Sequence, residues 1–168
     1  MNLIDILLGT VKDPILYSII FFIYVILAAV ILPIPVEIGL FNSYIHPVLL
    51  ISILALGKGV GAVIAFEIGS KVRDIFESKS LGTKLTKKII DWCERFVIKY
   101  GYIGLLIIMS IPLMIDSATL YLFSLLNPKD DGKRAMTRMS FMIINIIAGA
   151  IRGTIIILIA IYFNIRLV

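Results

Sequence analysis

The chain has 168 residues, 60% of them hydrophobic, with a mean hydropathy of +1.06 and a formal net charge of +5. That is far too apolar for a soluble domain of this size, and the length leaves no room for a separate soluble enzyme. The positive charge does not point to nucleic acid. Eight of the sixteen Lys and Arg residues fall in residues 71–99 and four more in 129–138, between apolar runs, which is the positive-inside pattern of a membrane protein.

Several apolar runs reach or approach the ~20 residues that span a bilayer as a helix. The fold class expected is therefore all-α: a polytopic integral membrane protein forming one membrane domain over residues 1–168. The single cysteine, Cys93, rules out an internal disulfide, and with His46 as the only histidine a zinc site is improbable. No metal or cofactor is expected.

Residues 14–32 begin at Pro14 and then run without a charge, longer than a typical signal-peptide core and with no small-x-small cleavage site after them; they read as a retained first span. Residues 33–47, "PIPVEIGLFNSYIHP", are too short to cross. Pro33 and Pro35 break the helical ladder there, and Glu37 brings a carboxylate into an apolar setting. Residues 48–69 are long enough to cross and carry Gly57, Lys58, Gly59 and Gly61 near the middle. Glu67, with Lys71 and Arg73 close by, marks the end of that span.

Residues 70–100 form a basic linker. Leu85, Ile89, Trp92, Phe96 and Tyr100 share one helical stripe, with Lys87, Lys88, Asp91, Glu94 and Arg95 opposite, which fits an amphipathic helix lying in the membrane interface. Residues 102–127 contain "SIPLMID", with Pro112 and Asp116 near the centre, between two basic regions. If both basic regions are cytoplasmic, the chain enters and leaves on one side, so a re-entrant hairpin breaking at Pro112 is expected rather than one kinked span. Residues 134–165 carry Gly149, Arg152 and Gly153 and read as one C-terminal crossing.

The two halves resemble each other. Each offers an Ile-Pro followed by a carboxylate, Glu37 or Asp116, and then a Gly-containing span with one cation, Lys58 or Arg152. Paired interrupted helices of this kind point to a transport site between inverted repeats. Two facing re-entrant hairpins would satisfy each other's loose backbone groups and leave a polar pocket. Glu37 and Asp116 would face it as proton-coupling groups, and Lys58 and Arg152 would supply positive charge, arginine being well suited to phosphate. The bland alternative is a pair of intramembrane ion pairs, Glu37 with Lys58 and Asp116 with Arg152, that only fix helix packing.

Other motifs carry less. "GKGVG" lacks both the preceding strand and the spacing of a phosphate loop, so its glycines serve close helix contact. Ser110, Ser117 and Thr119 are expected to cap broken helix ends or donate to a ligand, and His46 to sit at the interface. No Ser-His-Asp set, paired cysteines or HExxH exists, and an enzyme is not expected.

In their order, "PIPVEIG", "GKGVGAVIAFEIGSKV" and "FVIKYGYIGLLIIMSIPLMID" resemble the DedA family, also called the VTT or SNARE-associated Golgi protein-like family, over residues 20–165. "SIPLMID" lacks the arginines usual around that proline, which sets the chain on a divergent branch. The resemblance implies two facing re-entrant hairpins in a multi-pass protein of the cell membrane, in the first instance a prokaryotic plasma membrane. It also implies movement of lipids between leaflets: undecaprenyl phosphate in bacteria, phospholipids in eukaryotic relatives. Membrane lipids are then the expected partners, with a homo-oligomer left open. Two other functions compete with a lipid flippase or scramblase: a proton-coupled carrier of a small solute or ion, and a non-transporting scaffold acting through Trp92 and Phe96.

Overall fold

A computed structural model describes residues 6–7, 9–31, 34–78, 84–127, 129–130 and 133–163, with side chains at all of these except 76–94, 96, 98, 129–130 and 133–134. Pro33 and the side chains of Trp92, Cys93 and Phe96 therefore lie outside what is described. Among the described residues the main elements are five α-helices: α1 (Pro14–Val30), α2 (Pro47–Ser78), α3 (Lys84–Ser110), α4 (Asp116–Leu125) and α5 (Arg138–Tyr162). A 3-10 helix, Val36–Leu40, lies between α1 and α2, and a two-residue antiparallel ladder, Lys129–Asp130 with Lys133–Arg134, lies before α5.

Local sequence sets the ends of these helices. α1 opens on Asp13-Pro14: the Asp13 carboxylate accepts from the N–H groups of Ile15 and Leu16 at 3.1 Å, and proline suits the first turn. α5 opens on Thr137, whose hydroxyl accepts from Ser140 N–H at 3.2 Å. α3 stops at Ser110, two residues before Pro112, and α4 restarts at Asp116.

After α1 the chain turns back along it. Tyr24 donates its hydroxyl to Pro35 O (3.0 Å), Tyr17 to Gly39 O (2.9 Å), and Asn42 its amide to Val11 O (3.1 Å). Later residues of the return meet earlier residues of α1, so Asp13 and His46 lie at the same end of the molecule. Residues 101–127 fold back likewise. α3 starts this arm beside Met136 and Ala135, where Tyr102 donates to Ala135 O at 3.0 Å, and reaches Lys58 at Met109. α4 then runs from Asp116, beside Lys58, back to Leu125, whose carbonyl accepts from Arg73 at 2.9 Å; Asn127 follows, paired with Met136.

The two fold-backs enter from opposite ends because the long helices beside them are antiparallel. Glycines record the register. A Cβ on Gly149 of α5 would lie 2.9 Å from Ala55 Cα of α2, while one on Gly153 would meet Leu54 and Ile51. At the other end Arg138 pairs with Glu67 at 3.0 Å. α1, by contrast, runs parallel to α2, with Val25 against Gly57 and Ala29 against Gly61.

Two apolar clusters fill the interior. One holds Tyr17, Phe21, Leu40, Leu54 and Ile156, and the other Ala62, Phe66, Leu105, Leu120 and Phe141. The charged residues Lys58 and Arg152 lie at the seam between them. The outer surface is apolar instead: Ile15, Ile19 and Ile23 on α1, Val60, Ile64 and Ile68 on α2, and Ile143, Ile147, Ile151 and Ile155 on α5 are all exposed. Charge inside and isoleucine outside reverses the distribution of a water-soluble domain. Two helices, Pro47–Ile75 and Arg138–Tyr162, are long and apolar enough to cross a membrane.

Several sequence expectations change in detail. The span drawn at 48–69 continues as helix to Ser78, tied by the Arg73 bond to Leu125 O. The amphipathic stretch and the first arm of the second hairpin form one helix, Lys84–Ser110, because Gly101 is spent on close packing against Met136 rather than on a turn. α1 ends at Val30, short of residue 32, as the outward arm of a fold-back. The C-terminal stretch is one unbroken helix. Glu67 is bonded across to Arg138, and the helix continues past it.

Candidate functional site

The four ionisable residues singled out in the sequence come together where the two fold-backs meet. Glu37 is carried by the 3-10 helix, Asp116 by the first turn of α4, Lys58 by the middle of α2 and Arg152 by the middle of α5. All four are buried, with Lys58 and Arg152 at 0% exposure.

Arg152 is the hub. Its Nε donates to Glu37 Oε1 at 2.8 Å, its Nη2 donates to the same oxygen and to Met114 O at 3.1 Å, and its Nη1 donates to Asp116 Oδ1 at 2.7 Å. Lys58 Nζ donates to Asp116 Oδ1 at 3.2 Å and to Met109 O at 3.1 Å. The planar guanidinium with its five donors is suited to bridging two acids and a carbonyl at once, which an ammonium is not.

Of the two pairs weighed on sequence grounds, Asp116–Arg152 is made and Glu37–Lys58 is not. Glu37 bonds Arg152 and Lys58 bonds Asp116, so each acid holds the cation of the other half; the Asp116–Arg152 contact is also made. The reason is topological: with α2 and α5 antiparallel, both cations arrive at the same level from opposite directions.

The helix breaks contribute backbone as well. Leu113 N–H donates to Glu37 Oε1 at 2.8 Å, so the tip of the second break is bonded to the acid of the first. Leu113 has φ 62°, the left-handed region that a leucine rarely occupies. The Pro112 break thus frees one N–H (Leu113) and two carbonyls (Met109 and Met114), all used in this cluster. Pro35 contributes its carbonyl to Tyr24. Across the two fold-backs, Tyr121 of α4 donates to Val30 O at the end of α1, at 2.8 Å.

Two carboxylate oxygens, Glu37 Oε2 and Asp116 Oδ2, are buried with no hydrogen-bond partner among the described residues. Two acids and two bases balance in formal charge, so the cluster needs no further ion for neutrality. It is closed: each cation is held by acids and carbonyls, and the open polar pocket expected between the breaks is replaced by direct contact. Ser110 and Thr119 do not cap the breaks; their hydroxyls bond back to Leu106 O and Ile115 O within the helix. Ser117 is buried beside Asp116 in sequence.

The residues missed in the sequence are tyrosines and backbone groups. Tyr17 and Tyr24 are seven apart, with Phe21 between them, and so share one face of α1; two hydroxyls on one face of an apolar helix were a legible request for acceptors. No family model, curated protein or solved structure matches this chain.

Proposed function

We propose that this chain is a multi-pass protein of the cell membrane that moves a lipid between leaflets, with an anionic prenyl phosphate or phospholipid as the substrate class. The observation that carries the proposal is the buried cluster of Glu37, Asp116, Lys58 and Arg152 where two fold-backs from opposite ends meet. Ionisable groups at membrane depth are costly, and interrupted helices meeting near the midplane are how many transporters build a substrate site. An apolar exterior around a charged interior supports the same reading, as does the resemblance of "PIPVEIG" and "SIPLMID" to the DedA family. In this reading the two fold-backs are re-entrant hairpins.

The closed cluster defines what transport requires. Arg152 and Lys58 cannot hold a phosphate while both are engaged by carboxylates. A proton placed on Glu37 or Asp116 removes that acid's charge, weakens its hold on the guanidinium or ammonium, and frees a cation for an anionic head group. The unpartnered Glu37 Oε2 and Asp116 Oδ2 are the oxygens with room for such a proton.

A second reading has one observation in its favour. The complete burial of Lys58 and Arg152 suits a lock that only fixes helix packing. One experiment separates the two. Purified protein is placed in liposomes with fluorescent phospholipids and a labelled prenyl phosphate, beside the Glu37→Gln and Asp116→Asn variants. Transport predicts accelerated translocation by the unaltered protein and a loss of at least tenfold in each variant that still folds. No acceleration with any head group, from folded protein, rejects transport and leaves the lock.

A further inference from the structure

The two helix breaks are unequal. The first is packed inside the bundle: Val36, Glu37, Gly39 and Leu40 are buried, and a Cβ on Gly39 would run into the Phe21 ring of α1. Its carbonyls are tied to α1 by uncharged hydroxyls, Tyr24 on Pro35 O and Tyr17 on Gly39 O. The second break has an outer face. Ile111, Leu113, Met114 and Ile115 are all exposed there, Leu113 at 74%.

The inner edge of the second break is backbone. Leu113 N–H reaches Glu37 and Met114 O reaches Arg152, whereas Ile111 N–H and Ile115 O only continue the flanking helices. Residues 111–115 thus turn main-chain groups to the charges and apolar side chains outward. Both inward ties are to ions of the cluster, so both depend on its ionic state. Leu113 is held at φ 62°, a strained conformation for leucine that persists where surrounding bonds impose it. α4, which follows, is anchored elsewhere, by Tyr121 on Val30 O and by Arg73 on Leu125 O. Those bonds survive a movement confined to the tip.

We propose that residues 111–115 are a lateral gate, through which an anionic lipid head group reaches Arg152 and Lys58 from within the bilayer while the first break stays in place. The gate deepens the transport reading above and rests on it. A proton on Glu37 weakens its hold on Leu113 N–H and on Arg152 together, and relief of the Leu113 backbone favours the movement that follows. The tip moves outward at little cost, because its exposed side chains are already apolar and suited to lipid. The same face argues for a lipid over a small solute, which needs a mouth open to water: four large apolar side chains cover the charges on this side.

Double electron–electron resonance on the full chain in lipid nanodiscs tests the gate. In a Cys93→Ser background, spin labels at Ile115→Cys and Ile143→Cys follow the tip. Labels at Ile31→Cys and Ile143→Cys follow the chain entering the first break; all three positions are exposed. Glu37→Gln is expected to add a longer distance to the first pair and none to the second. Leu113→Val leaves every charge in place and makes φ 62° harder to hold; it should act likewise, and it guards against a folding failure in Glu37→Gln. Leu113→Gly is at ease at that φ, and combined with Glu37→Gln it should shrink the added population at least about threefold. Phosphatidylglycerol discs should enlarge that population over phosphatidylcholine discs. The gate is overturned by a tip distance that stays fixed in folded Glu37→Gln and Leu113→Val, by both pairs lengthening together, or by an open population that anionic lipid does not enlarge. Translocation by the same preparations is scored separately. Opening that depends on anionic lipid, without translocation, rejects the transport reading and leaves the gate; translocation past a fixed tip does the reverse.

Discussion

Glu37 and Arg152 stand 115 positions apart in the chain and are joined at 2.8 Å through the guanidinium Nε, both buried. The acid comes from the first half and the base from the second, and Lys58 with Asp116 repeats the exchange in reverse. These two bonds are thus a property of the assembled fold rather than of either half, whereas Asp116–Arg152 lies within the second half.

A double-mutant cycle measures that exchange. Glu37→Gln with Arg152→Met is expected to show a coupling above about 1 kcal/mol in detergent unfolding, because the two side chains touch. Glu37→Gln with Lys58→Met should show a smaller coupling, since it is carried through Arg152 and Asp116 rather than by a direct bond. Equal couplings would mean that the acids do not discriminate between the cations. Arg152→Met alone leaves two buried carboxylates without their main donor and should cost about 3–5 kcal/mol.

Gly149 predicts a second contrast. A Cβ there would meet Ala55 Cα at 2.9 Å and Lys58 Cδ at 3.2 Å, so the α2 backbone itself must move. Gly149→Val should destabilise by about 1–3 kcal/mol and displace Lys58. At Gly153 the added atom would meet the ends of the Leu54 and Ile51 side chains at 3.2–3.3 Å, which can shift. Gly153→Ala should cost less than about 1 kcal/mol, and thermal unfolding of the two variants in the same detergent ranks them.

The distribution of cations predicts sidedness. Lys71, Arg73, Arg95, Lys99 and Arg138 gather at the end where α2 finishes and α5 starts, whereas among the described residues the opposite end holds Lys12 and His46. The positive-inside rule puts the first end in the cytoplasm. With Cys93 replaced by serine, Ser43→Cys should react with an impermeant maleimide added to intact cells, and Met139→Cys only in inverted vesicles. The reverse labelling pattern would reject this orientation.

Glu67 and Arg138 pair at 3.0 Å with side chains about half exposed, and this bond should matter little. Glu67→Gln is expected to change stability by less than about 1 kcal/mol, with the difference shrinking further in high salt. A loss comparable with that of Arg152→Met would show the two surfaces to be equally shielded from water.

Much of the plan was legible before the structure. Pro112 and the Pro33–Pro35 pair announced the breaks, and one acid and one cation per half announced the members of the cluster. Partner choice was legible only in part: the Asp116–Arg152 pair weighed on the sequence is made, but the bonds of Glu37 to Arg152 and of Lys58 to Asp116 follow from the antiparallel register of α2 and α5, fixed by the small residues Ala55, Gly149 and Gly153 against their neighbours. The continuity of α3 was hidden by Gly101, a helix-weakening residue whose cost is offset by packing on Met136. The closed state of the cluster depends on Leu113 N–H and on the Met109 and Met114 carbonyls, atoms that every residue carries and that no pattern of side chains distinguishes.

Each half supplies the cluster with one acid and one base: Glu37 and Lys58 before the linker, Asp116 and Arg152 after it. Within the second half Asp116 touches Arg152 at 2.7 Å, whereas among the described contacts Glu37 and Lys58 of the first half share no direct bond and are held through the second. A bundle cross-bolted in this manner depends on both pieces reaching the same level, for the first half's acid and base each find their partner only in the second.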